Sequence, residues 1–172
     1  MKKITLLTAI VMIAFTTNAV AQSTATTTAA TSARVITPIT ITKVVDMNFG
    51  NLVATVAGGA IVLPTSGART GDAAILLGTQ NGTVAAASFT VTGEIGFTYA
   101  ITLPPASFNV SNSDTTPATM SVGTFVSSPS STGSLVSGTQ TLLVGATITL
   151  AANQKAGAYT NTSGLAITVN YN

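Results

Sequence analysis

Between Ala60 and Tyr171 the chain reads as short apolar runs rich in Val, Ile and Thr, each broken by turn residues, and this pattern points to an antiparallel β fold. The runs fall at Ala60–Pro64, Ala73–Leu77, Ala86–Thr92, Phe97–Leu103, Thr119–Val126, Gln140–Leu150 and Leu165–Tyr171. Gly58-Gly59, Asn81-Gly82, Pro104-Pro105 and the Ser/Pro/Gly-rich segment Ser127–Gly138 lie between them. Asn81-Gly82 suits a hairpin, since both residues accept positive φ. No amphipathic helix of useful length interrupts the series. The spacing predicts an all-β sandwich or barrel.

The first residues have a different layout. Lys2 and Lys3 precede an apolar stretch from Ile4 to Phe15, and Ala19-Val20-Ala21 supplies the small residues that signal peptidase reads. The expectation is a signal peptide over residues 1–21, cut before Gln22. The apolar stretch is shorter than the roughly 20 residues that cross a bilayer. The cleaved chain is long enough for a single domain with its own core, and the protein is expected in the periplasm in transit and then at the cell surface or in an extracellular fibre.

Charge and chemistry narrow the function. Without Lys2 and Lys3, four cations (Arg34, Lys43, Arg69, Lys155) stand against four anions (Asp46, Asp72, Glu94, Asp114), so the exported chain is neutral. No basic patch exists to neutralise phosphates, and nucleic acid is not an expected partner. The chain has no His and no Cys, which removes Ser-His-Asp and Cys-His catalysis, the usual zinc sets and any disulfide. The four acidic residues are widely separated, each reading as a solvated loop or turn residue, and the aromatics read as core. The chain is expected to be neither an enzyme nor a binder of a cofactor, a metal or a small-molecule substrate.

Residues Gln22 to Ala33 are only Thr, Ala, Ser and Gln, a composition that fits a disordered leader. Parity offers a second reading. Alternate residues of a strand share one face, and the odd positions Ala25, Ala29, Ala33 and Val35, continuing through Ile39 and Ile41, are more apolar than the even ones. Residues 22–34 are thus either a leader or an extended strand seeking a groove, ahead of a domain over 35–172.

Three segments carry a resemblance. Asp46-Met47-Asn48-Phe49-Gly50-Asn51-Leu52 resembles the Leu-Asn-Phe-Gly-aromatic segment that follows the first strand of pilins assembled by bacterial chaperone and usher systems, in particular their spore-coat-like branch. Gln22 to Val35 lies where such subunits carry a donor strand. The stretch from Ala156-Gly157-Ala158-Tyr159-Thr160 through Leu165 to Asn172 is similar to their final strand, with alternating apolar residues and a penultimate Tyr. Over the whole chain, Ile36-Thr37-Pro38-Ile39, Asn48-Phe49-Gly50, Thr139-Gln140-Thr141-Leu142 and Val169-Asn170-Tyr171 resemble DUF4402, an uncharacterised bacterial family of secreted β-sandwich proteins.

The pilin resemblance implies an immunoglobulin-like antiparallel β-sandwich that lacks one strand and is completed by the extension of a neighbouring subunit. It implies a head-to-tail homopolymer, with a periplasmic chaperone and an outer-membrane usher as further partners. On that reading Ala25, Ala29, Ala33 and Val35 are the donor residues, and Leu165, Ile167, Val169 and Tyr171 help form the acceptor. The donor side chains are small, each missing buried methylene forgoing about 0.8 kcal/mol. The alternative is a self-contained secreted sandwich acting as an adhesin or surface-coat protein, the reading to prefer if Val35–Val45 supplies the missing strand within its own domain. An outer-membrane β-barrel is a third reading, disfavoured because the few aromatics form no girdles.

Overall fold

The computed structural model describes residues 24–76 and 80–172, so the expected signal peptide at 1–21 lies outside the described residues, as do Gln22 and Leu77. The chain divides into two units, Met1–Val35 and Ile36–Asn172. In the first, residues 24–35 form no strand and are exposed, Val35 to 96%. The described residues of the second form ten strands: β1 Thr40–Val45, β2 Gly59–Leu63, β3 Thr70–Gly71, β4 Ala87–Thr92, β5 Thr98–Thr102, β6 Phe108–Ser111, β7 Thr119–Ser128, β8 Thr132–Ser134, β9 Thr139–Leu150 and β10 Thr168–Tyr171. No helix occurs among the described residues.

The strands form two antiparallel sheets, the all-β, sandwich-type architecture expected from the spacing. The larger, seven-stranded sheet is organised on β9. Its first half pairs with β4 and its second half with β2, while β7 runs along the opposite edge from Leu143 to Thr149. Beyond these, β1 pairs with β4, β6 with β7 and β3 with β2. The smaller sheet is ordered β10-β5-β8, so β10 has a ladder partner on one side only.

Strand periodicity sets the core. Even residues of β9, from Leu142 through Val144, Ala146 and Ile148 to Leu150, are buried, with Thr141, Thr147 and Thr149 on the other face. Two clusters result. Around the first half of β9 lie Phe89 and Val91 of β4, Tyr99 and Ile101 of β5, Leu135 and Val169, with Ile39 and Ile41 packed against them. Around the second half lie Ile61, Ile75, Met120 and Val122.

Two expectations needed correction. The run beginning at Ala73 is a turn, not a strand. Asp72 Oδ1 accepts the Ala74 amide at 2.8 Å and the Asp72 carbonyl accepts those of Ile75 and Leu76, an Asx-type turn that buries Ile75 without a ladder. Asn81-Gly82 joins no hairpin. Gly82 does have positive φ (64°), but the segment runs beside residues 48–52, with Asn51 N bonded to Asn81 O at 2.7 Å. Three strands were missed, the two-residue β3 among them. β8 lies inside Ser127–Gly138, where tertiary pairing with β5 overrides a turn-like composition, and β6 is held by β7.

Tyr99 shows how tightly the two layers meet. It is fully buried, donates from its hydroxyl to Gln140 Oε1 at 2.9 Å, and occupies the space a Cβ at Gly133 would need. The same Gln140 oxygen accepts the Ser134 amide at 2.8 Å. Burial raises the Tyr99 phenol above its ordinary value of about 10. The folded state therefore holds that proton more tightly than the unfolded chain, so this contribution is whole below about pH 10 and declines as pH rises through the folded value. Tyr99→Phe is expected to cost about 1 kcal/mol near neutral pH and to flatten the alkaline loss of stability. Urea titrations from about pH 8 to pH 11 check both, and an equal alkaline decline in the two proteins would rule out Tyr99 as its source.

Candidate functional site

The two sheets do not cover one another along their whole length. Over the second half of β9 the inner face of the larger sheet looks into a cleft of about 1000 Å³, with Phe89, Met120, Val122, Ile148 and Leu150 on its floor. One wall is the segment 46–52 and the other is 154–162, with Phe108, Val110 and Leu165 alongside. These floor residues come from strands whose alternation marks them as core; they are buried, and the opening lies above them.

The wall at 46–52 is built by the Asn-Phe-Gly segment. Asn48 forms an antiparallel bridge with Ala85, and Leu52 with Leu76. Asn48 Oδ1 accepts the Gly50 amide at 2.8 Å, which tightens the turn. Gly50 has φ 68°, and a Cβ there would collide with the Asn81 carbonyl oxygen, so both backbone conformation and close approach require glycine. Arg69 locks the turn from outside, its guanidinium donating to the Phe49 carbonyl, to Asn51 O at 2.8 Å and to Asn81 Oδ1 at 3.3 Å. Sequence reasoning missed Arg69, since nothing in its spacing links it to the motif.

The wall at 154–162 is anchored to β6. Ser111 and Thr160 form a bridge, Asn161 Nδ2 donates to Asn109 O at 2.7 Å, and Asn161 Oδ1 accepts the amides of Ser163 and Gly164. Gln154 Nε2 donates to the Tyr159 hydroxyl at 2.8 Å, which donates to Lys155 O at 2.6 Å. Lys155 pairs with Asp114 at 2.9 Å, and Asn112 Nδ2 also donates to that carboxylate. The Lys155 hydrogen bond, chiefly, holds the Asp114 carboxyl below its ordinary value. The pairing is therefore present above the carboxylate range and lost as pH falls through the folded value. The bonds pinning each wall run outward, to β6 on one side and to the 69–85 region on the other.

Of the residues expected to accept a strand, only Leu165 lies at this opening. Val169 is buried in the first cluster and pairs with Ile101, while Ile167 and Tyr171 pack against that cluster half-buried. The Tyr171 ring meets Phe97 edge-on at 5.5 Å; its hydroxyl accepts the Glu94 amide at 2.6 Å and donates to Thr37 O at 2.7 Å. Tyr171 thereby ties the start of the second unit to its last strand. The expected donor residues Ala25, Ala29, Ala33 and Val35 are exposed in the first unit.

The carboxylates have structural partners. Asp46 pairs with Lys43 at 2.5 Å, Asp72 caps its turn, Glu94 Oε2 accepts the Thr37 amide at 2.9 Å, and Asp114 holds Lys155. Among the described residues no three of His, Cys, Asp and Glu come together as metal ligands.

Residues 39–171 match the family model described as "Domain of unknown function (DUF4402)", and the chain belongs to that family. No curated protein matches the chain at a significant level.

Gly67 provides an internal control for the Gly50 turn, since it has φ 82° but open space around a Cβ. Gly67→Ala is expected to cost only backbone strain, about 1 kcal/mol. Gly50→Ala adds the collision with the Asn81 carbonyl and is expected to cost about 3 kcal/mol, a Tm lower by roughly 5–10 °C. Differential scanning calorimetry of the two variants makes the comparison, and equal Tm values would refute the collision.

Proposed function

We propose that this protein is an exported structural subunit that polymerises into an extracellular fibre by donating residues 22–35 to the cleft of a neighbouring copy. The observation that carries this reading is the cleft of about 1000 Å³ that reaches core residues of β4, β7 and β9. Each floor side chain is at most 9% exposed, and a strand laid between the two walls would take the remaining apolar surface of floor and walls out of water.

Strand order supports the same reading. The path β1-β4-β9-β7 in the larger sheet and β8-β5-β10 in the smaller is compatible with an immunoglobulin-like sandwich, in which one further strand beside β10 would extend the smaller sheet. Among the described residues no strand pairs with β10 along that edge. The small donor side chains also find a rationale, because Phe89, Phe108, Met120 and Leu150 already place the bulk on the acceptor side. At about 3.3 Å per residue, residues 24–33 reach roughly 33 Å, most of the length of β9. Head-to-tail repetition gives an open filament. Export by the leader, a chaperone protecting the cleft in the periplasm and an outer-membrane usher belong to this proposal.

One observation favours the alternative of a self-contained adhesin or coat protein: β1 (Thr40–Val45) already pairs with β4 of its own chain. It completes the edge of the larger sheet, however, and although its Lys43 and Val45 line the cleft it does not fill it, while β10 belongs to the smaller sheet. The discriminating experiment compares Gln22–Asn172 with the same protein lacking residues 22–33, by size-exclusion chromatography and negative-stain microscopy. The proposal expects fibres or oligomers from the longer protein and a less stable monomer from the shorter. Two equally stable monomers would overturn it in favour of the self-contained sandwich.

A further inference from the structure

Exposed large apolar side chains outside the strands of the second unit gather at its two opposite ends. At one end Ile95 and Val136, 69% and 77% exposed, occupy the β4–β5 and β8–β9 turns. These turns touch, with Gly93 N bonded to Gly138 O at 3.0 Å and Gly96 N to Leu135 O at 2.8 Å. At the other end Val53 and Val56, the latter 82% exposed, occupy the loop before β2. That loop meets the far terminus of β9, where Asn153 N donates to Thr55 O at 2.8 Å. The length of β9 separates the two ends, roughly 40 Å at about 3.4 Å per residue.

Each end also has a place in the proposed polymer. The Ile95/Val136 end is where the second unit begins, since Thr37 donates its amide to Glu94, next to Ile95. The same end is closed to an incoming strand by the Tyr171–Thr37 bond and by Ile39 and Ile41 packed on the core. A strand seated in the cleft must therefore leave past the opposite end, beside Val53 and Val56, and Leu52 and Ala54 of that loop line the cleft itself. From Val35, the last donor residue, to Thr37 the chain advances by only two residues, less than about 8 Å even when extended. The donor's Ile95 and Val136 are thus carried against the acceptor's Val53 and Val56.

We infer that these two apolar ends form a second, axial contact between successive copies, in which Ile95 and Val136 of the donor pack on Val53 and Val56 of the acceptor. The inference rests on the strand-donation reading. The contact is too small to hold two proteins together alone; it acts as a shoulder that limits bending at the joint, while the inserted strand carries the affinity.

The absence of native cysteine makes the contact testable by cross-linking. The chain is expressed whole, so that processing precedes assembly, as Val136→Cys, Val56→Cys and the double variant, and each is oxidised with copper-phenanthroline. Within one copy the two positions lie too far apart for a disulfide, which needs Cα atoms within about 7 Å. The double variant is expected to give a ladder of covalent oligomers on non-reducing gels, each single variant no species beyond a minor dimer. Fibres visible by microscopy but no ladder would overturn the axial contact and leave strand donation standing. A ladder that survives deletion of residues 22–33 would support an end contact while overturning donation. Neither fibres nor a ladder would overturn both. Ile95→Ser/Val136→Ser supplies a second readout: it is expected to assemble into fibres of at least twofold shorter persistence length, and unchanged stiffness would count against the contact.

Discussion

The hydrogen bonding of β9 along both edges is the constraint on which the rest of the domain depends. Its residues Leu143, Val144 and Thr147 to Thr149 are paired on two sides, and its even-numbered face runs through both core clusters, Leu142 and Val144 in one and Ala146, Ile148 and Leu150 in the other. A strand this long, with twelve residues, imposes a length on the larger sheet that the smaller sheet does not match, since β5, β8 and β10 have five, three and four. The first half of β9 is therefore roofed by Tyr99, Ile101 and Val169, and the second half by two irregular segments with a cleft between them. The opening is a consequence of unequal sheets, and every feature of the site follows from how its two walls are held apart.

Those walls are rigid for different reasons. The 46–52 side depends on the positive φ of Gly50 and on Arg69, a cation satisfied by carbonyl and amide oxygens in place of a carboxylate. Backbone carbonyls held in a turn are fixed acceptors, so one guanidinium ties Phe49, Asn51 and Asn81 together without burying a compensating charge. The 154–162 side depends on side-chain amides: Asn161 caps its own turn and reaches back to β6, and Gln154 accepts the Ala151 amide at 3.1 Å while donating to Tyr159. In a protein with so few charges, amides and hydroxyls do the work that ion pairs do elsewhere.

The fold class and the core were legible because period-2 alternation is local: β4, β7 and β9 coincide to within two residues with the runs marked by Ala86–Thr92, Thr119–Val126 and Gln140–Leu150, and alternate residues along them are buried. The Asn-Phe-Gly segment was visible as a motif, though not as the wall of a cleft. What the sequence hid was non-local. Ile75 has the apolar signature of a strand but is buried by an Asx turn, and β8 sits in a segment whose Ser, Pro and Gly speak for a loop. Arg69 reaches the site across about twenty positions, through hydrogen bonds to main-chain atoms that no side-chain pattern announces. Of the four expected acceptor residues only Leu165 lines the opening, because β10 runs from the cleft toward the opposite end and takes Val169 and Tyr171 with it.

The in-chain pairing of β1 bears on how such a domain meets its neighbours. A sandwich whose open edges were a defect would guard them, usually with Lys, Pro or a bulge. β1 does carry Lys43, and its register with β4 slips between Lys43 and Val45. β10 carries none of these devices: Thr168, Val169, Asn170 and Tyr171 make a regular ladder with Thr102 to Tyr99 on one side and present an uncharged edge on the other. The two edges are treated differently within one domain, the edge already completed by its own chain being the guarded one. Selection against edge association alone does not account for that asymmetry, which is the one that the proposed assembly through strand addition would require.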